Sequence, residues 1–177
     1  ILLSSEERIK KESELVNEIM SFDSNLIFHL RKPSWDYIEC RQFLFELIPE
    51  FLTRTVIHQH HFLAEDIEVK GTHLNSSRRK EKKAGDRVIS SSFHSLDSVK
   101  KEAENYDYFF CSPLFKSISN PGYEASEKWD IHSLEIGLKS KAVALGGIHA
   151  ENIEKAYRLG FSNFASLGSV WKSDNPI

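Results

Sequence analysis

Short apolar runs alternate along the chain with longer amphipathic segments. Near the C-terminus, Ala142–Leu145 is entirely apolar and stops at Gly146–Gly147. This run predicts a strand that is buried on both faces. The apolar spacing over Glu151–Leu159 predicts a helix, and a second apolar run, Phe164–Leu167, stops at Gly168–Ser169. We therefore predict a strand-helix-strand unit with a small-residue turn after each strand.

The same pattern predicts six earlier strands: Ile1–Ser4, Asn25–Arg31, Thr55–His60, Gly71–Asn75, Arg87–His94 and Tyr108–Ser112. Predicted helices or loops separate them, and the helices are Glu6–Met20, Trp35–Ile48, Phe62–Asp66, Ser95–Asn105 and Ile131–Leu138. Ser95 is the expected N-cap of its helix. Strands that alternate with helices in this way predict parallel βαβ units. Because the first strand-helix turn has no GxGxxG fingerprint, a compact (β/α)8 TIM barrel is favoured over an open doubly wound sheet.

The chain length predicts one barrel domain that spans residues 1–177. Because the chain ends soon after the eighth predicted strand, we expect an incomplete outer ring of helices. Apolar barrel wall left uncovered there predicts self-association into a homo-oligomer. The first residue is Ile rather than Met, so we also expect that the N-terminus has been trimmed.

Composition limits the classes of partner and the cellular compartment that we expect for the protein. A formal charge of −3 and a pI near 6.3 give no global basic field, so we expect no nucleic-acid partner. No apolar run reaches transmembrane length and no signal peptide is visible, so we expect no membrane partner. Cys40 and Cys111 lie far apart and outside any CxxC pattern. They predict two buried thiols in a reducing cytoplasm rather than a disulfide.

Polar side chains mark the ends of several predicted strands, where parallel barrels carry their catalytic groups. These side chains come in pairs: His29 and Arg31, His58 and His60, His73 and Asn75, and Ser92 and His94. A single histidine at such a place is more often a hydrogen-bonded core residue than a catalyst. Five of the eight histidines are expected at one rim, however, and this concentration favours a functional site.

The sequence His58-Gln59-His60 could place two imidazoles on one strand face, as metal-dependent barrel hydrolases do. Those sites also need carboxylates, and none of the predicted strand ends carries Asp or Glu. We therefore expect no metal, and a mononuclear three-histidine site is the minority alternative.

The two small-residue turns near the C-terminus are candidates for phosphate binding. Gly146, Gly147 and Gly168 lack side chains, so their backbone N–H groups can approach an anion closely, with Ser169 beside them. The last two strands of (β/α)8 barrels commonly build such a site. The alternative is that these glycines only turn the chain.

Four short motifs carry a family resemblance: GTHL at 71–74, SFHS at 92–95, SPLF at 112–115 and ALGGI at 144–148. In their order and spacing the chain resembles the thiamine phosphate synthase and TenI superfamily over nearly all of its length. The resemblance implies a (β/α)8 barrel and an enzyme of thiamin biosynthesis that acts on a phosphorylated thiazole.

The chain departs from the synthases of that superfamily at their diphosphate and Mg²⁺ positions. Their Gln-Leu-Arg-Glu-Lys motif is His29–Pro33 here, which keeps the arginine and has proline at the lysine position. His58–Gln59 replaces the Asn-Asp pair that binds pyrimidine diphosphate and Mg²⁺, Asn75–Arg79 lacks a further Mg²⁺ aspartate, and Ser117–Asn120 lacks a lysine. These losses count against a synthase, which must stabilise a departing diphosphate.

The positions that match the thiazole phosphate half of the superfamily site are kept. By resemblance, Ser117, Ser119, Gly147 and Ser169 fall on phosphate-binding positions. His94 matches the acid/base histidine of thiazole tautomerases similar to TenI, which shift a proton between the exocyclic carbon and the ring of carboxythiazole phosphate. An imidazole suits this transfer because its ordinary pKa of about 6.5 lies near cytoplasmic pH.

The sequence therefore predicts a TenI-like thiazole tautomerase that needs no cofactor. His94 would move the proton, and Arg31 would bind the substrate carboxylate through its guanidinium fork. Four more side chains are expected to contact the substrate: His29, His58, His73 and Ser92.

Two alternatives remain open at this point. The first is a thiamine phosphate synthase with an altered site, which would use Mg²⁺ and replace the missing cations by Arg78, Arg79 or Lys32. The second is a phosphate-ligand binder that kept the fold and lost its chemistry.

Overall fold

The structure is a computed structural model that describes residues 1–77, 79, 86–116 and 129–172. The described residues form two compact units. The first contains residues 1–73 and 86–88, and the second contains residues 74–77, 79, 89–116 and 129–172.

Parallel strands and helices alternate in the first unit. Its strands are β1 (Leu2–Leu3), β2 (Phe28–Leu30), β3 (Thr55–Ile57) and the start of β4 (Gly71–Leu74). Its helices are α1 (Glu12–Phe22), α2 (Tyr37–Glu46), α3 (Pro49–Leu52) and α4 (Leu63–Asp66). Strand β1 pairs with β2, β2 with β3, and β3 with β4, all in parallel. Apolar side chains from strands and helices are buried, among them Phe28, Val56, Val16 and Leu44.

The second unit continues the alternation. Its strands are β5 (Val88–Phe93, whose first residue belongs to the first unit), β6 (Tyr108–Cys111), β7 (Ala142–Ala144) and β8 (Asn163–Phe164). Its helices are α5 (Leu96–Glu102), α6 (Ile136–Lys141), α7 (Ile153–Arg158) and α8 (Gly168–Trp171), with 3-10 turns at Ala103–Asn105 and Ile131–Ser133. Strands β5 to β8 pair in parallel with their neighbours in chain order. Their buried core includes Phe93, Phe109, Ile131 and Phe161.

Within each unit the strands pair in parallel in chain order, which confirms the predicted succession of parallel βα units. The predicted Ser95 N-cap of α5 is also confirmed, because its side chain accepts a hydrogen bond from Ser98 N at 3.2 Å. The strands themselves are shorter than predicted. Strand β8, for example, ends at Phe164 instead of Leu167.

Two predicted boundaries were wrong for identifiable reasons. Helix α1 begins at Glu12 instead of Glu6, because Lys11 has a left-handed backbone (φ 62°) and the Glu12 carboxylate turns back to accept from Ser5 N. The predicted helix over Trp35–Ile48 is instead α2 followed by the separate short helix α3. Asp36 sets the start of α2 through a reciprocal capping box with Glu39.

Every helix in the described ranges is too short or too polar to cross a bilayer.

Candidate functional site

Three histidines of the first unit converge. His29 lies in β2, His58 follows the last residue of β3, and His73 lies in β4. Parallel pairing of these strands brings their carboxyl ends side by side. Each histidine offers a ring nitrogen, and these nitrogens all lie within 4.8 Å of one another. We call His29, His58 and His73 the histidine cluster.

Ring contacts hold the histidine cluster together. His29 Nδ1 and His58 Nε2 are 2.9 Å apart and share a hydrogen bond. The rings of His58 and His73 are stacked, with centroids 4.1 Å apart and planes 16° from parallel. His29 meets both partners edge-on. His29 is fully buried and His73 nearly so, whereas His58 is half-buried.

Burial is the main reason that the pKa values of His29 and His58 lie well below the usual imidazole value. The charge that His73 would carry lowers both pKa values further, and Arg31 adds to the effect on His58. His29 and His58 are therefore neutral at neutral pH. A neutral imidazole has one N–H and one lone pair, as their shared hydrogen bond requires.

His60 does not share a strand face with His58, and this part of the sequence prediction was wrong. Strand β3 ends at Ile57, and His60 has a left-handed backbone (φ 51°), so strand alternation does not extend to it. Its ring nitrogen Nε2 instead lies 2.9 Å from the carbonyl oxygen of Trp35. Of the histidines predicted at the rim, His29, His58 and His73 converge in this unit, whereas His60 contacts the Trp35 backbone.

Two cations follow β2, and both have acidic partners. Arg31 forms an ion pair with Glu6 and keeps about a third of its side chain exposed. Lys32 is fully buried, with Nζ 2.5 Å from Glu12 Oε2 and 2.9 Å from the carbonyl oxygen of Glu7. Sequence reasoning missed the Lys32–Glu12 pair, because the two residues are 20 positions apart and Glu12 lay inside the longer helix predicted over Glu6–Met20. The role of Arg31 in carboxylate binding stays a prediction.

His94 lies in the second unit, one residue beyond β5 and next to the N-cap of α5. Its Nδ1 is 2.6 Å from the carbonyl oxygen of Ser112. Since a carbonyl only accepts, Nδ1 carries a proton, and in the neutral form of the ring Nε2 holds the lone pair. The ring is exposed. Ser92, in β5, is half-buried, and its carbonyl oxygen accepts from Arg79.

The turn after β7 needs glycine at two successive positions. Gly146 and Gly147 have positive φ values of 99° and 64°. A Cβ on Gly146 would lie 2.9 Å from Pro113 Cα, and one on Gly147 would lie 2.4 Å from Lys116 O. Close packing on 113–116 therefore explains both glycines without a ligand, and their role in phosphate binding stays a prediction.

The turn after β8 opens the short helix α8 at Gly168. Ser169 Oγ donates to the carbonyl oxygen of Ile148 at 3.0 Å, and it lies 2.5 Å from Ser166 Oγ. This contact ties the turn after β8 to the turn after β7. Ser117 and Ser119, the other predicted phosphate ligands, lie outside the described residues, as does Arg78.

The cations proposed as substitutes in a synthase are already engaged where the structure describes them. Lys32 is enclosed by Glu12 and the backbone, as given above. Arg79 lies 3.6 Å from Glu102, bonds to Ser91 and Ser92, and places its guanidinium 4.3 Å from the centre of the Phe93 ring. Neither side chain would reach a diphosphate without breaking these contacts.

Comparison with known proteins places the chain in a family. Residues 4–170 match the family described as thiamine monophosphate synthase. The structure resembles thiamine phosphate pyrophosphorylase from Bacteroides thetaiotaomicron, with a TM-score of 0.79 and 28% identity over 97% of this chain and 83% of that one. It also resembles the enzyme of that name from Pyrococcus furiosus, with a TM-score of 0.76 and 18% identity over 99% and 88% of the two chains.

A curated relative, thiamine-phosphate synthase of Actinobacillus succinogenes, is 29% identical over 94 residues. That match covers 50% of this chain and 42% of the relative, so the chain spans less than half of the relative's length. A 3-hexulose-6-phosphate synthase shares the fold, with a TM-score of 0.57 and 12% identity over 99% of this chain and 93% of that one.

The chain belongs to the thiamine monophosphate synthase and TenI family of thiamine biosynthesis, because the family match runs over nearly its whole length. The predicted family and the predicted (β/α)8 fold class are both confirmed.

Proposed function

We propose that the protein is a thiamine phosphate synthase, which joins a phosphorylated thiazole to hydroxymethylpyrimidine diphosphate. One observation carries this proposal: the 28% identity to a thiamine phosphate pyrophosphorylase over 97% of the chain, at a TM-score of 0.79. The reaction releases diphosphate, so groups at the site must offset its developing negative charge.

Mg²⁺, which the resemblance implies for synthases, does not suit the residues at the corresponding positions. Mg²⁺ prefers oxygen ligands, especially carboxylates, in octahedral geometry. His58 offers a nitrogen, and Gln59 Oε1 already accepts from Lys32 N at 3.0 Å. A synthase built on this chain would therefore need other groups to offset the charge of diphosphate.

A thiazole tautomerase is the second candidate, and His94 is the observation that favours it. The Ser112 carbonyl holds the His94 ring by Nδ1, which directs the basic lone pair to Nε2. The ring is exposed, so Nε2 can accept a proton from a substrate carbon and return it to another position. This reaction releases no diphosphate, so the missing Mg²⁺ carboxylates do not count against it.

Two turnover assays on the purified protein separate these functions. One supplies thiazole phosphate with hydroxymethylpyrimidine diphosphate and Mg²⁺, and the other supplies the carboxythiazole phosphate tautomer alone. Formation of thiamine phosphate supports the synthase, and isomerisation without it supports the tautomerase. No turnover in either assay contradicts both the synthase and the tautomerase, and it leaves the phosphate-ligand binder as the remaining function.

The variant His94→Asn tests whether His94 is the acid/base of the tautomerase reaction, and His132→Asn is its matched control. His132 is also exposed and also has a ring nitrogen on a backbone carbonyl, with Nε2 3.2 Å from Arg158 O. A tautomerase should lose about 10²-fold or more in kcat with His94→Asn, because general acid/base groups contribute that much. His132→Asn should keep its rate. Equal rates in both variants would exclude His94 as the acid/base.

A further inference from the structure

We propose that the histidine cluster is a binding site for a first-row transition cation of the Zn²⁺ class. The proposal departs from the expectation that the protein holds no metal, and it does not depend on which reaction the protein catalyses. It rests on three ring nitrogens, from His29, His58 and His73, that lie within 4.8 Å of one another.

The spacing of the nitrogens suits one ion. In a tetrahedral site with Zn–N bonds of about 2.0–2.1 Å, two nitrogen ligands lie about 3.4 Å apart. His29 Nδ1 and His58 Nε2 are now 2.9 Å apart, slightly closer than that. All ligand nitrogens are within 4.8 Å, so no pair needs to close by more than about 1.5 Å. Small ring rotations would bring them to bonding distance.

The donor set selects the class of cation. Imidazole nitrogen suits Zn²⁺, Cu²⁺, Ni²⁺ and Co²⁺, whereas Mg²⁺ and Ca²⁺ prefer carboxylate and carbonyl oxygen. All three potential ligands in the histidine cluster are imidazole nitrogens. The site should therefore discriminate strongly against Mg²⁺, although related synthases are expected to use that ion.

The backbone holds all three ligand positions. His29 lies within β2 and His73 within β4, so hydrogen-bonded strands hold both positions. His58 follows β3, its backbone N–H donates to the carbonyl oxygen of Leu30 in β2 at 3.1 Å, and its side chain is half-buried. Three protein nitrogens leave a fourth tetrahedral position for water or for an oxygen of a ligand. This number of protein ligands is typical of catalytic zinc sites rather than closed structural ones.

Binding an ion requires a tautomer change but no redox step. One of the two nitrogens in the His29–His58 hydrogen bond carries a proton, and a metal needs a lone pair on both. That proton moves to the other nitrogen of the same ring, so each imidazole stays neutral when it binds the ion. The histidine-histidine hydrogen bond is exchanged for two metal-nitrogen bonds.

Co²⁺ titration of tag-free, chelator-treated protein tests the proposal, because four-coordinate Co²⁺ has strong visible absorption. We expect one Co²⁺ per chain with a four-coordinate spectrum, displacement by Zn²⁺, and no displacement by Mg²⁺. His58→Gln and His73→Gln should each weaken binding by about 100-fold or more, while His132→Gln, outside the cluster, should bind like wild type.

Thermal unfolding without metal shows whether each variant folds, and half-buried His58 is the position where replacement should perturb folding least. Two results would overturn the proposal. One is the absence of saturable Co²⁺ and Zn²⁺ binding by folded wild type. The other is equal affinity in wild type and in folded His58→Gln, which would assign the bound ion to other histidines.

Discussion

Lys32 Nζ lies 2.5 Å from Glu12 Oε2, and both side chains are almost completely excluded from water. The Lys32 ammonium also sits 4.6 Å from the centre of the Trp35 ring. The pair joins the chain after β2 to the first turn of α1, and it lies three residues from His29 of the histidine cluster. It therefore helps to fix the backbone on which that cluster is built.

Removing one member of this pair should be costly. Lys32→Met leaves the Glu12 carboxylate buried and unpaired, and the free energy of unfolding should fall by about 3–5 kcal/mol. Lys32→Met combined with Glu12→Gln should recover much of this loss, because the amide is uncharged and its oxygen can still accept from Ser5 N. Urea unfolding of the single and double variants measures both effects. Equal stability of wild type and Lys32→Met would show that the pair contributes nothing.

The pH dependence of Lys32→Met follows from the same carboxyl. Burial is the largest influence on the pKa of Glu12 and raises it, whereas Lys32 lowers it. Without Lys32 the folded-state pKa rises further above the unfolded value of about 4.3. At pH values between the unfolded and the folded pKa of Glu12, the folded chain binds more protons than the unfolded chain. The stability of the variant should therefore increase as the pH falls toward about 4.3. Urea midpoints at several pH values check this sign, and a deficit that does not shrink on acidification would contradict it.

The turn after β7 should not tolerate a side chain. Gly147→Ala places a Cβ 2.4 Å from Lys116 O at a backbone φ of 64°, so we expect a loss of about 2 kcal/mol or more. Gly137→Ala is the matched control, because a Cβ there meets nothing within 4 Å and the residue lies in α6. That control should be stabilised by roughly 0.5–1 kcal/mol. Equal melting temperatures for the two variants in thermal unfolding would contradict the packing argument.

The start of α2 depends on one side chain. Asp36 accepts from Glu39 N at 2.9 Å, and the Glu39 carboxylate accepts from Asp36 N at the same distance. Asp36→Ala removes the cap and should lower the free energy of unfolding by about 1 kcal/mol. Asp36→Asn keeps an acceptor oxygen and should lose much less. Equal losses in both variants, measured by urea unfolding, would mean that charge rather than capping is what matters.

Both cysteines should be unreactive in the native protein. Cys40 and Cys111 are free thiols and are buried. Burial raises the pKa of Cys40 to about 11 and raises that of Cys111 as well, so little thiolate exists at pH 8. A thiol-disulfide reagent at pH 8 should label neither cysteine quickly in the folded state and both in urea. Rapid native labelling would contradict the burial of these thiols.

Sequence periodicity alone determined the succession of elements. Apolar runs such as Ala142–Leu145 predicted strands because a strand buried on both faces needs continuous apolar residues. Capping chemistry located Ser95 at the start of α5, since the hydroxyl satisfies an otherwise unpaired N–H. The glycine pair after β7 was recognised as a turn, and family motifs indicated the class of enzyme. All of these signals are local or follow the order of the chain.

Tertiary structure decided which side chains meet. The predicted strand ends correctly brought His29, His58 and His73 together. They wrongly included His60, because strand β3 ends at Ile57 and the backbone is left-handed at His60. The burial of Lys32 against Glu12 was also beyond the sequence, since the two residues are 20 positions apart. Strand ends and distant ion pairs depend on what packs around them, and this information lies in the folded chain rather than in any local pattern.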